Sequence, residues 1–181
     1  MIKALAVAAV VFVTGLMTGG SGLAAEGGNT VVLELRTGKV IIEMLPDLAP
    51  KHVERIKTLV KNGFYDGLKF HRVIDGFMAQ TGDPRGDGTG GSGQNIEAEF
   101  TATPFERGVV GMARSQSVDS ADSQFFIMFA PAPSLNNKYT VWGRVTGGME
   151  HVDRIKKGEA ALNGVVQDPD TIVRMYMMDA P

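Results

Sequence analysis

The sequence predicts a mostly β protein, a closed eight-stranded antiparallel β-barrel capped by two α-helices. Three observations lead to this prediction. Short apolar runs alternate with turn residues along most of the chain, which contains 23 glycines among 181 residues. Only two segments repeat their apolar residues with the spacing of a helix. So few helices cannot supply the crossovers of a parallel sheet, and closing an antiparallel sheet removes its exposed edges.

A β-hairpin opens the predicted domain. Residues 31–35 and 40–45 are rich in Val, Ile and Leu, and the segment 37–39 between them supplies turn residues. Further apolar runs of strand length follow, each bounded by turn residues. They occupy residues 68–74, 77–80, 109–113, 125–129, 140–145 and 171–178.

Two helices complete the predicted barrel. The first spans residues 50–62, with Pro50 in its first turn and Gly63 after its end. The second spans residues 149–157 and ends in two lysines, which suit the negative end of the helix dipole. The inward faces consist of Val53, Ile56, Leu59 and Val60 in the first helix and of Met149, Val152 and Ile155 in the second.

Residues 1–25 differ from the rest of the chain and are predicted to be a secretory signal peptide. Lys3 is the only charged residue in this segment, residues 4–17 are mostly apolar, and small residues follow. Cleavage is favoured after Ala24. The alternative is an uncleaved anchor helix, although the apolar run is shorter than the roughly 20 residues of a membrane span. Residues 26–181 then form one domain that is exported to the periplasm or secreted.

The composition excludes several classes of function. The formal net charge is −2 and no basic run occurs, which argues against a nucleic-acid partner. The chain has no cysteine, which excludes a disulfide scaffold, a thiol nucleophile and thiolate metal ligands. The three histidines lack metal-ligand spacing, and His52 and His151 are predicted to be surface residues of the two helices. We expect no metal and no cofactor.

A glycine-rich segment, residues 82–93, is predicted to be a flexible surface loop. A phosphate-binding loop would need a following Gly-Lys-Ser or Gly-Lys-Thr and the start of a helix, and neither is present. Residues 85–87 spell Arg-Gly-Asp, an adhesion-type tripeptide, but so short a match arises easily by chance in a loop of this composition.

Polar residues interrupt two of the apolar runs. Strand alternation predicts that Phe70 and Arg72 share one face of the sheet and that His71 lies on the other. Gln124 and Phe126 are predicted to share a face in the same way. An arginine among apolar residues is costly to desolvate unless it is paired. Arg72 is therefore either part of a structural ion pair or a functional group.

Six short motifs follow one another along the chain. They are Phe-His-Arg-Val-Ile at 70–74, Gly-Phe-Met-Ala-Gln at 76–80, Gly-Asp at 82–83, Gly-Thr-Gly-Gly at 88–91, Gly-Met-Ala-Arg at 111–114 and Ser-Gln-Phe-Phe-Ile at 123–127. This series resembles the cyclophilin family of peptidyl-prolyl cis–trans isomerases, and the resemblance covers residues 30–158. It implies an eight-stranded antiparallel barrel capped by two helices, in agreement with the elements above, and a shallow proline-binding groove on the outer face.

The resemblance also assigns roles to individual residues. It implies that Arg72 is the catalytic arginine and that Gln80 contacts the substrate and holds Arg72. Phe77, Met78, Phe126 and Leu135 match the apolar pocket around the proline ring. The remaining matches lie beside the peptide and are His71, Ala113, Arg114, Gln124 and Tyr139.

Three positions depart from the pattern of many family members. Tyr139 stands where many members have a histidine, and Arg114 where many have an asparagine. Ser134 stands where cyclosporin-sensitive members carry a tryptophan, and the only tryptophan, Trp142, falls in the following strand. We therefore expect catalysis to be intact and cyclosporin to bind weakly.

The implied reaction needs no nucleophile, metal or cofactor. Amide resonance sets a barrier of about 20 kcal/mol to rotation about an X-Pro bond. In the twisted state the nitrogen gains a lone pair, and a fixed donor on Arg72 stabilises that state more than either planar state. We expect a monomer outside the membrane that isomerises proline-containing peptides and unfolded exported proteins. The alternative is a chaperone or adhesin module that binds proline-containing segments without useful turnover.

Overall fold

The computed structural model describes residues 28–178, so the predicted signal peptide lies outside the described residues. Eight strands and two α-helices form, as the sequence predicts. The strands are β1 (Thr30–Leu35), β2 (Gly38–Met44), β3 (Arg72–Ile74), β4 (Met78–Thr81), β5 (Val109–Met112), β6 (Phe125–Met128), β7 (Val141–Gly147) and β8 (Ile172–Met177). The helices are α1 (Pro50–Lys61) and α2 (Met149–Asp153), and short 3₁₀ turns lie at Pro133–Leu135 and Ala160–Leu162.

All eight strands belong to one antiparallel sheet that curls into a half-barrel. Its order is β3-β4-β6-β5-β7-β2-β1-β8. The predicted closed barrel is wrong, because the terminal strands β3 and β8 form no ladder with each other within residues 28–178. Instead, the edge of β3 that faces away from β4 pairs with an irregular segment, residues 158–166. Val73 N donates to Gly164 O at 2.8 Å, and Val166 N donates to His71 O at 3.1 Å. Strand β8 reaches only the chain before β3, where Ile172 N donates to Leu68 O at 2.9 Å and Gly67 N donates to Ile172 O at 2.8 Å.

Helix α1 packs its apolar face against the inner side of the sheet. Val53, Ile56, Leu59 and Val60 are buried there, as the helical period predicts. The prediction that His52 is a surface residue is wrong, because His52 is fully buried. Its position four residues before Ile56 places it on the apolar face. His151 is half-buried, with its imidazole against Gly38 of the first hairpin.

Helix α2 is shorter than predicted. It ends at Asp153 rather than at residue 157. The chain leaves the helix because Lys156 N donates to Asp170 Oδ2 at 2.8 Å instead of continuing the helical hydrogen bonds. Within residues 28–178, neither helix is long and apolar enough to cross a membrane.

Alternate residues of the central strands point to two different apolar clusters. The main core lies between the inner face of the sheet and α1 and contains Phe125, Ile127 and Trp142, all fully buried. The outer face carries a second cluster, here called the groove cluster, with Met78, Phe105, Val109, Phe126, Met128, Ala132 and Val141. One face of the sheet is therefore covered by the main core and α1, and the other face is available for a binding site.

The predicted alternation around Arg72 is only partly correct. Phe70 is fully buried in the main core together with Val73, whereas Arg72 is half-buried on the outer side. Phe70 and Arg72 therefore do not share a face. Regular strand geometry begins only at Arg72, so the two-residue period does not extend back to Phe70.

Candidate functional site

Nine of the eleven residues predicted for the site line one shallow depression on the outer face, about 170 Å³ in volume. We call this depression the groove. It forms where β3, β4 and β6 lie side by side and where the 3₁₀ turn Pro133–Leu135 approaches them. The lining residues are Arg72, Phe77, Met78, Gln80, Ala113, Arg114, Phe126, Leu135 and Tyr139.

Aromatic packing fixes the apolar part of the groove. The Phe126 ring stacks on Phe105, with centroids 5.7 Å apart, and lies nearly perpendicular to the Tyr139 ring, with centroids 5.8 Å apart. Gly111 makes this packing possible, since a Cβ there would lie 2.6 Å from both the Phe105 and the Phe126 ring. Met78 is almost fully buried in the same cluster. The result is a rigid apolar surface of a size that suits a small ring.

Arg72 and Gln80 form the polar side of the groove. They are directly opposite each other in the β3–β4 register, and Arg72 Nη1 donates to Gln80 Oε1 at 3.2 Å. Gln80 Nε2 in turn donates to Gln124 Oε1 at 2.9 Å. Gln124 Nε2 donates to the carbonyl oxygens of Gly88 and Gly90. A chain of amide hydrogen bonds thus connects Arg72 to the glycine-rich loop.

Asn163 is the contact of Arg72 that sequence reasoning missed. Arg72 Nε donates to the Asn163 backbone oxygen at 3.0 Å, and Arg72 Nη2 donates to Asn163 Oδ1 at 3.0 Å. The two residues are 91 positions apart in the chain. The Asn-Gly pair at 163–164 signals a turn, but nothing in the sequence shows that this turn reaches Arg72.

The guanidinium of Arg72 is held by neutral groups alone. Among residues 28–178, no carboxylate lies within 4.0 Å of it, and its hydrogen-bond acceptors are amide and carbonyl oxygens. Burial in the groove lowers the pKa of Arg72, and Tyr139 acts in the opposite direction. An arginine nevertheless stays protonated at neutral pH. The groove therefore contains a positive charge that no carboxylate of the described residues neutralises.

Two predicted site residues do not line the groove. Gln124 lies one step behind Gln80 and lines an adjoining depression of about 380 Å³. That depression lies between the glycine-rich loop and residues 113–120. His71 is 6% exposed, and neither of its ring nitrogens has a hydrogen-bond partner within the described part of the chain. Burial lowers the pKa of His71, so its imidazole is neutral near pH 7.

The glycine-rich loop, residues 82–93, has no regular structure, but its backbone is fixed. The carboxylate of the fully buried Asp83 accepts hydrogen bonds from the backbone N–H groups of Arg85, Asp87 and Gly88. Burial alone would raise the pKa of Asp83, yet these donors hold that pKa below its usual value. The loop is therefore anchored rather than free, in contrast to the flexible chain that its composition predicts.

The tripeptide at 85–87 has its acidic group engaged within the loop. The Asp87 carboxylate accepts from the backbone N–H of Thr89 at 2.8 Å and from its hydroxyl at 2.7 Å.

Arg114 stiffens the opposite rim of the groove. Its guanidinium lies 4.7 Å from the Tyr139 ring centroid and donates twice to the carbonyl of Lys138. Its long side chain is thus occupied by rim contacts and covers one side of the Tyr139 ring.

No group of three metal-ligating side chains occurs among residues 28–178. The site therefore consists of an apolar depression, a half-buried arginine and the amides that hold that arginine. This arrangement can bind a small apolar ring and present N–H donors beside it.

The family model and the relatives that match this chain are all described as peptidyl-prolyl cis-trans isomerases. A family model described as "Cyclophilin type peptidyl-prolyl cis-trans isomerase/CLD" matches residues 30–177. A probable peptidyl-prolyl cis-trans isomerase of Brucella suis is 55% identical over 163 residues, which cover 83% of either chain. Peptidyl-prolyl cis-trans isomerase B of Bacillus subtilis is 44% identical over 123 residues, covering 67% of this chain and 85% of that protein.

Solved structures show the same fold. The cyclophilin AquaCyp293 from Hirschia baltica has a TM-score of 0.74 and 28% identity, over 82% of this chain and 73% of that one. A Cryptosporidium parvum cyclophilin type isomerase, crystallised in the presence of the dipeptide Ala-Pro, has a TM-score of 0.76 and 26% identity. That match covers 83% of this chain and 99% of that one.

Proposed function

This chain belongs to the cyclophilin family of peptidyl-prolyl cis-trans isomerases, and we propose that Arg72 carries its catalysis. The observation that supports this role is the uncompensated guanidinium at the edge of the apolar groove. Arg72 has five N–H donors, and only three of its hydrogen bonds are made within the described residues. Donors therefore remain for a substrate.

The proline ring of the substrate binds against Phe126, Met78, Phe77 and Leu135 in this proposal. The Ala-Pro dipeptide of the Cryptosporidium structure supports a proline-containing ligand for a fold of this kind. Burying the ring removes water from around the imide bond, so a hydrogen bond to its nitrogen becomes stronger than it would be in bulk water. The same packing keeps the ring still while the preceding carbonyl rotates.

Catalysis follows from the difference between planar and twisted imide. The planar nitrogen is conjugated and accepts hydrogen bonds poorly, whereas the twisted nitrogen has a localised lone pair. A donor on Arg72 stabilises the twisted state selectively and so lowers the barrier. No bond to the protein forms or breaks, and Gln80 and Tyr139 act by holding the arginine and the ring in place.

Arg72→Lys tests whether catalysis needs the planar, fixed N–H donors of the guanidinium. Its activity can be assayed on a short Ala-Pro peptide by exchange NMR. Lysine keeps the charge but places it on a flexible stem without the planar arrangement of donors. We expect kcat/KM to fall by more than tenfold, with the dissociation constant of the peptide little changed. A variant as active as the wild type would show that charge alone suffices. Failure of the wild type to accelerate isomerisation would contradict turnover altogether.

We further propose that the protein is exported and assists the folding of exported chains as a monomer. The support is the character of residues 1–25, described above. Mass spectrometry of the protein from its native host should then find an N-terminus at Ala25 or Glu26. A product that begins at Met1 in the cytosol would contradict export.

Weak binding of cyclosporin is also part of the proposal. Ser134 is exposed in the 3₁₀ turn at the groove, and Trp142 cannot replace the missing indole because it is fully buried against Phe125 in the main core. A serine supplies neither the apolar area nor the N–H of an indole. Ser134→Trp should tighten cyclosporin binding in a titration, and nanomolar inhibition of the unmodified protein would contradict the proposal.

A further inference from the structure

An irregular segment, residues 158–166, runs along the free edge of β3 beside the groove. Three backbone hydrogen bonds fix it there. Val73 N donates to Gly164 O at 2.8 Å, Gly158 N donates to Val73 O at 2.9 Å, and Val166 N donates to His71 O at 3.1 Å. The segment is thus an extension of the sheet edge and has a defined position relative to Arg72, the first residue of β3.

Asn163 occupies the turn of this segment that faces Arg72. Its φ of 53° is in the left-handed region, which asparagine tolerates better than most residues. Gly164 follows, and a Cβ at this position would collide with the Ile74 side chain. The backbone therefore approaches β3 closely and carries the Asn163 amide to the guanidinium.

The two acceptors of Asn163 match two adjacent donors of Arg72. The backbone oxygen receives Nε–H and the side-chain Oδ1 receives Nη2–H, each at 3.0 Å. Gln80 receives Nη1–H from β4, on the other side of the guanidinium. Without the Asn163 amide the plane of the guanidinium would be fixed by fewer contacts, and a long flexible side chain would sample other rotamers.

We propose that Asn163 is a positioning residue for catalysis, which aligns the Arg72 guanidinium from the segment 158–166 while Gln80 aligns it from β4. The inference rests on the proposed role of Arg72 in the reaction. Asn163 acts through the arginine and not on the substrate. Its contribution is to the orientation of a donor that matters most in the twisted state, so its loss should affect kcat more than peptide binding.

The primary test is Asn163→Gly. Glycine accepts the left-handed conformation and keeps the backbone oxygen, so only the Oδ1 acceptor is lost. We expect kcat/KM to fall by about tenfold, the peptide dissociation constant to stay within twofold, and the thermal midpoint to stay unchanged. Asp168→Gly is the matched control, because Asp168 also has a left-handed φ of 49° but does not contact Arg72. The control should keep the activity of the wild type.

A double-mutant cycle separates this inference from the proposed role of Arg72. In an Arg72→Ala background, Asn163→Gly should cause no further loss, because the residue that it positions is absent. An equal tenfold loss in both backgrounds would overturn the inference and show that Asn163 acts independently of the arginine. Wild-type activity of Asn163→Gly would also overturn it. If Arg72→Ala itself were fully active, the proposed role of Arg72 would fail instead.

Discussion

Arg55 and Arg72 are both partly buried, and the regions around them differ in how the charge of the arginine is balanced. Arg55, on α1, donates to Gln94 Oε1 and Ser92 Oγ and lies 3.6 Å from the Asp122 carboxylate. Arg72, in the groove, is held by Asn163 and Gln80, whose acceptor atoms are all neutral. The comparison shows what distinguishes a structural arginine from one available to a ligand.

The difference is one of electrostatic potential rather than burial. The Arg55 side chain is 16% exposed and connects α1 to the end of the glycine-rich loop and to Asp122, so its charge is balanced within the fold. Arg72 has equally defined contacts, yet its positive potential extends into the groove because no carboxylate faces it within the described part of the chain. Neutral amides thus orient a charge without cancelling it.

The largest expected effect is on activity, from Arg72→Ala. Losing a charge-assisted hydrogen bond in a partly desolvated site costs about 3 kcal/mol, or about a hundredfold in kcat/KM. The free energy of unfolding should stay nearly constant, because the Arg72 side chain faces the groove and pairs with no carboxylate of the described residues. Activity per folded molecule, with circular dichroism to count the folded fraction, measures both quantities. A destabilised variant with normal specific activity would show that Arg72, like Arg55, is a structural arginine.

Arg55→Ala should show the opposite pattern. Removing the guanidinium leaves the largely buried Asp122 carboxylate without its ion-pair partner, which should lower the free energy of unfolding by about 2 kcal/mol. Activity per folded molecule should stay within twofold of the wild type. Urea denaturation measures the first quantity and the peptide assay the second.

Arg36→Ala provides the control for Arg55→Ala. Arg36 forms an exposed contact of 3.8 Å with Asp170, and its loss should leave stability unchanged within experimental error. If both substitutions changed the free energy of unfolding equally, the structural role of Arg55 would be contradicted.

A smaller effect should appear as a loss of stability in acid, from the other buried polar pair on α1. His52 Nδ1 lies 2.6 Å from Glu99 Oε2, and the same carboxylate accepts from the backbone N–H groups of Lys51 and His52. Burial lowers the pKa of His52, although Glu99 opposes this, and within residues 28–178 Nε2 has no partner for a second proton. Burial alone would raise the pKa of Glu99, but its hydrogen bonds hold that pKa below the usual value.

Both shifts have the same consequence on acidification. Below about pH 6.5 the unfolded state takes up a proton on His52 that the folded state resists, so stability falls. Glu99 contributes stability that is present above about pH 4.5 and is lost as the pH falls through its lower folded pKa. The free energy of unfolding should therefore fall from pH 7 to pH 4. His52→Gln should make the slope between pH 7 and 5 shallower, and an unchanged slope would exclude His52 as a source.

Local sequence patterns predicted most helices and strands of this fold. They could not predict contacts between residues that are far apart in the chain. The hairpin of β1 and β2 and the helix α1 followed from apolar periods of two and 3.6 residues. Barrel closure was wrong because residues 158–166 occupy the edge of β3, and no local pattern reveals such a pairing. The burial of His52 was visible in the helical period, but its partner Glu99, 47 residues away, was not.

In the candidate site, too, the sequence predicted most of the residues but not the contacts between distant ones. Its apolar and polar residues were found through the resemblance of their motifs, and the structure gathers nine of them in one groove. The sequence left open whether Arg72 belongs to an ion pair or to a functional site. That alternative depends on what surrounds the guanidinium in space, and the neutral surroundings favour the functional role. Asn163 lay outside the motifs and was found only through its contacts.

If Arg72 acts through a charge that its neighbours orient but do not neutralise, a carboxylate in place of the Asn163 amide should suppress activity, and Asn163→Asp introduces one. The substitution is isosteric and keeps an acceptor for Nη2 while it adds a carboxylate at the same distance. At pH 7.5 we predict a fall in kcat/KM of about tenfold, with peptide binding and thermal stability preserved. Wild-type activity in this variant would show that position alone matters and would contradict the claim.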